Sequence, residues 1–84
     1  MQLIEQLKDL AQRNAASDQA LIAAARDTKV LGRGETTELV KEVCAAMCSG
    51  DYSRLTIQNP GMETRITYVN QKNEMATLAF QKLN

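Results

Sequence analysis

The chain contains no histidine and no tryptophan, one phenylalanine, one proline and two cysteines among its 84 residues. Without histidine it lacks the side chain whose charge change falls near neutral pH, which is the commonest general base. The commonest ligand for zinc and copper is missing with it. No spaced carboxylate cluster takes its place: Asp51, Glu63 and Glu74 are scattered over expected turns and strand ends. Ser49, Ser53 and Cys44 have no base in reach along the chain. These absences argue against an enzyme and against any metal or cofactor.

The two cysteines, Cys44 and Cys48, lie four apart in a helical-looking segment, so they share one helix face. That spacing is not a usual disulfide frame, and a zinc site would need two further ligands that no other Cys or His supplies. They read as small, semi-buried hydrophobes in a reducing compartment. No run approaches the roughly 18 apolar residues of a membrane span. Glu5 and Asp9 fall where a secretory signal would carry its apolar stretch. The expected location is the cytoplasm.

What is present is ordinary globular material, 44% apolar and 24% charged, with ten basic residues against ten acidic ones. The length allows a single domain, residues 1–84, that hides only about 60–65% of its unfolded surface. Zero net charge supplies no long-range field toward phosphate backbones or anionic lipid, which counts against nucleic acid as the main partner and against a membrane surface.

Residues 2–14 read as a helix, with Leu3, Ile4, Leu7, Leu10 and Ala11 on one face. Residues 18–27, rich in alanine, read as more helix. The two stretches form either two short helices, with Ser17 capping the second, or one long one. In the long form Leu3, Leu7, Leu10, Asn14, Ser17, Leu21 and Ala24 make a heptad-like seam with an asparagine at a core position. Thr28–Leu31 is a frayed helix end or a very short strand. A third helix is expected from Thr36 to Ser49, with Gly50 just past its last turn. Leu55 and Ile57, then Ile66 and Tyr68, alternate with polar residues as half-buried strands do, around a type II turn at Asn59-Pro60-Gly61. Asn70–Asn73 should close the second strand. Residues 74–83 suit a helix or a third strand, and composition favours the helix. The expected fold is therefore α+β: N-terminal helices (two short or one long, then a third), a β-hairpin, and a short C-terminal helix or strand.

Gly32-Arg33-Gly34 before a helix has the setting of a phosphate-binding loop. No lysine follows, however, the third glycine is missing, and Glu35 would repel an anion. Three helices and a hairpin also invite comparison with a winged-helix DNA-binding protein. There the third helix carries Glu35, Glu38 and Glu42 against Lys41, although Arg54, Arg65 and Lys72 could make the hairpin basic.

The expectation is a small protein-binding regulator that acts stoichiometrically on another macromolecule. The composition matches inhibitors or antirepressors of the kind carried by phages and plasmids. Candidate contact residues are Arg33, Tyr52, Arg54 and Tyr68, since arginine and tyrosine concentrate binding energy at interfaces. The apolar stripe of Leu3, Leu7 and Leu10 is the candidate for self-association, most simply as a homodimer.

Overall fold

The computed structural model describes residues 3–13 and 20–82. Among these run, in chain order, α1 (Leu3–Gln12), β1 (Ala20–Arg26), β2 (Lys29–Val30), α2 (Arg33–Ser49), β3 (Arg54–Gln58), β4 (Glu63–Val69) and β5 (Met75–Lys82). The strands form one antiparallel sheet in the order β2-β1-β5-β4-β3. The α+β class stands, but two parts of the expected architecture are corrected: residues 20–26 are a strand rather than a second helix, and residues 75–82 are a strand rather than a helix. The winged-helix comparison loses its three-helix unit with them.

The reason is pairing. β1 and β5 match along their whole length, from Ala20 opposite Lys82 to Arg26 opposite Ala76. Alanine's helix preference amounts to at most ~0.7 kcal/mol per residue over ordinary residues, and tertiary contacts routinely override it. Here the small side chain also serves the packing. Ala24, 9% exposed, lies in the core cluster with Leu39 and Val40 of α2, and a bulkier residue would hold the helix away from the sheet. The seam through Leu21 and Ala24 is thus not helical, while Asn14 and Ser17 lie outside the described residues.

Directly opposed residues share a face of the sheet. Ile22, Ala24, Leu78, Phe80, Ile66, Tyr68 and Leu55 line up on one side. All belong to, or pack against, a single cluster that includes Leu7 and Ala11 of α1 and Leu39, Val40 and Val43 of α2. Both helices therefore cover one face. The opposite face carries Ala23, Ala25, Thr77, Thr67, Thr56 and Arg65, all half-buried or exposed.

Local signals explain the boundaries. α2 ends at Gly50, whose φ of +78° gives the left-handed C-cap that its N–H uses to reach the Ala46 carbonyl. Thr36 and Thr37 are buried near the start of α2, and each hydroxyl donates back one turn, to Gly32 O (2.9 Å) and Arg33 O (3.1 Å). The hairpin between β3 and β4 turns one residue later than a type II turn at Asn59-Pro60-Gly61 requires. The Glu63 N–H donates to Pro60 O at 3.2 Å, which puts Gly61, φ +64°, at the second turn position. Positive φ there, with none at Met62, is the pattern of type II′.

Candidate functional site

Two regions of the surface are built differently from the rest. The first is a cavity of about 760 Å³ between the β1–β2 hairpin and the first turns of α2. Asp27, with φ +55°, makes the tight turn that folds Lys29 and Val30 back along β1. The walls bring four carboxylates (Asp27, Glu35, Glu38, Glu42) together with Arg26 and Lys29. Most of this charge is matched internally. Arg26 Nη2 donates to Glu42 Oε1 at 2.8 Å, Lys29 lies 3.8 Å from Glu35, and Lys41 lies 3.7 Å from Glu38.

Glu42 organises the inner end of this cavity. Its hydrogen bond to Arg26 is the main cause holding the guanidinium pKa above its ordinary value. Tyr68, 4% exposed, has its phenol pKa raised first by burial and then by the Glu42 charge. Arg26 and Tyr68 flank Ala76 in one cross-strand row, so only a methyl group separates them on the helix side. The arrangement is a structural ion pair about a third exposed at each end.

The second region is the far edge of the sheet. Among the described residues β3 pairs on one side only, with β4. Four of its five residues are exposed, the exception being Leu55, which is half-buried against the core. Ile57 stands on the helix side of the sheet opposite Ile66, yet it remains 43% exposed because the helices do not cover the edge. The strand contains no proline and no lysine, two of the usual means of blocking an open edge. On the open face Arg54 is exposed and forms no ion pair among the described residues. Lys72 is equally unpaired, in the Asn70–Asn73 turn that follows Val69, the register partner of Arg54.

The four candidate contact residues separate accordingly. Tyr52, half-buried against the core, and Arg54 sit together at the start of β3. Tyr68 lies on the neighbouring strand but points into the core, opposite Leu55. Arg33 is exposed in the first turn of α2, about 25 Å along the helix from Ser49 at the rise of an α-helix. Of the self-association stripe, Leu7 (0%) and Leu10 (5%) are enclosed within the single chain, and Leu3 is partly buried against the same core. Cys44 is buried and Cys48 exposed, both as thiols. Burial, and then the neighbouring Cys48, push the Cys44 pKa up, which makes it a poor nucleophile.

Residue patterning missed Ile57 as a surface residue and the Arg26–Glu42 pair altogether. The pair spans a segment read as helix, and an edge position depends on strand order, which no local signal carries. Among the described residues no helix is long and apolar enough to cross a membrane. No protein-family model, curated protein or solved structure matches the chain.

Proposed function

We propose that this protein is a small, non-enzymatic binding module that regulates another protein stoichiometrically, in the cytoplasm, by adding a strand of that partner to the outer edge of β3. The observation that carries the reading is the open edge itself. Five residues, spanning about 17 Å at strand rise, offer unpaired backbone groups beside an exposed isoleucine. Strand addition takes its affinity from main-chain hydrogen bonds and its specificity from alternate side chains. Tyr52 and Arg54 stand at one end of the same edge and would contact the incoming chain.

No observation favours α1 as a self-association surface, because a seam through Leu7 and Leu10 would have to open the packing of α1 on α2. The test uses immobilised wild type and Ile57→Lys, with bound proteins from the native host identified by mass spectrometry. One stoichiometric protein retained by the wild type and lost by the variant supports the reading. Equal retention by both, or nuclease-sensitive recovery, overturns it.

A further inference from the structure

Both cysteines of the chain and one of its four methionines stand close together near the end of α2. Cys44, Met47 and Cys48 occupy positions i, i+3 and i+4, which are neighbours on one helix face, about 5–6 Å apart at Cβ. Cys44 belongs to the core cluster and Met47 is packed against it, while Cys48 is exposed. The two thiols are near enough to hydrogen-bond, and Lys8 and Glu5 of α1 are the charged groups that act on Cys44 from the facing helix. An ion about 2.3 Å from each sulfur, the length of a zinc–thiolate bond, therefore reaches both cysteines at once. Met47 lies beside them, and the way in from solvent runs past Cys48.

The donor set selects among metals. A structural zinc ion takes a closed set of four ligands, and the chain has no histidine. Among the described residues no group of three or more Cys, His, Asp or Glu stands together. Zinc, calcium and magnesium therefore lack their donors within one chain. Copper(I) is different, because it is soft, prefers thiolate and thioether sulfur, and needs fewer ligands. We propose that Cys44, Met47 and Cys48 form a three-sulfur site for copper(I) within a single chain. Binding releases the thiol protons of Cys44 and Cys48 to solvent and leaves an anionic site, whose charge Lys8 offsets and Glu5 opposes. The metal keeps its oxidation state throughout. The missing histidines, which argue against zinc, have no bearing on this site, and it is independent of strand addition at β3.

The experiment titrates the full chain, reduced and kept free of oxygen, with copper(I) against a chromogenic copper(I) chelator, and in parallel with zinc. The chain should retain one copper, with X-ray absorption showing sulfur as the only ligand atom. Copper-induced shifts of backbone amides should be confined to the last turns of α2 and to α1 around Lys8. Cys48→Ser, at an exposed position, should abolish retention while the thermal transition stays that of the wild type. Met47→Leu keeps the volume and should weaken binding by at least about tenfold, as loss of even an outer partner does at metal sites. No copper held against the chelator, equal retention by Cys48→Ser, or zinc held as tightly as copper overturns the proposal. One copper for every two chains, appearing together with association, overturns the single-chain site. Unchanged affinity in Met47→Leu overturns the three-sulfur set.

Discussion

The two ends of the sheet treat charge in opposite ways. At the β2–β1 end, carboxylates outnumber cations around the cavity, but Arg26, Lys29 and Lys41 each reach a partner on or beside α2. At the β3 end, Arg54 and Lys72 face solvent without one. Asp51 and Glu74, exposed at the same end, form no ion pair among the described residues either, so the charges of one end are largely tied to one another while those of the other stand apart. Net charge speaks to long-range attraction. It says nothing about which end can still form a bond, and that difference sets the proposed docking edge apart from the rest of the sheet.

The comparison depends on one helical layer bracing both ends, and the severest way to break it is to remove that layer. Leu7→Glu puts an unpaired charge where the side chain has no exposure, and should cost about 3–5 kcal/mol. Urea denaturation should show both ends lost in one transition, and a variant of wild-type stability would mean that α1 is dispensable. A gentler break is alkaline. Folding raises the Tyr68 pKa above its ordinary value near 10, so the folded state favours the neutral phenol. The stability gained is present in full below that value and is lost as pH rises through the raised one. Cys44, raised by burial, adds in the same direction. Denaturation midpoints should fall on the alkaline side, and Tyr68→Phe should remove part of the fall.

Smaller still is Arg26→Ala. With both side chains about a third exposed, solvent screens the pair, and the loss should be about 1 kcal/mol or less. It should appear as faster amide exchange in the β1–β2 hairpin, with β3 unchanged; an equal effect at both ends would dissolve the distinction between them. The smallest effect on stability belongs to Ile57→Lys, within about 0.5 kcal/mol at a 43% exposed edge. Its thermal transition should overlay the wild type although strand addition is abolished. Marked destabilisation would show that Ile57 serves the core.

The parts of the fold legible in the sequence are those whose signals are local. The stripe of α1, the end of α2 with its terminal glycine, and the alternation around Leu55 and Ile66 each describe the element that bears them, although α2 begins at Arg33 rather than Thr36. Ala20–Arg26 and Met75–Lys82 do not, because each is a strand by virtue of the other. Alone, Ala20–Arg26 favours helix and Met75–Lys82 suits helix or strand, and no reading confined to a window of the chain finds the distant partner. The candidate site divided along the same line. Residue type names Tyr52, Arg54 and Tyr68 alike, and the strand order puts the first two at an edge. Tyr68 belongs to an inner strand, and only the strand order reveals that.

The pairing of β1 with β5 also bears on how the chain survives its own synthesis. On the ribosome β1 emerges before β5 and waits for its mate while the residues between them are made, since Ala24 meets Leu78 and Ala20 meets Lys82. An orphan strand rich in valine or isoleucine would invite aggregation during that wait. The run of alanines in β1, whose β-propensity is low, should lessen this hazard. Replacing Ala23 and Ala25 by valine should suit the finished sheet, where both lie on the uncovered face, and yet lower the yield of refolding, read as turbidity after dilution from denaturant. Such a loss of yield would give the alanines of β1 a role in folding kinetics beside the packing of Ala24 under α2.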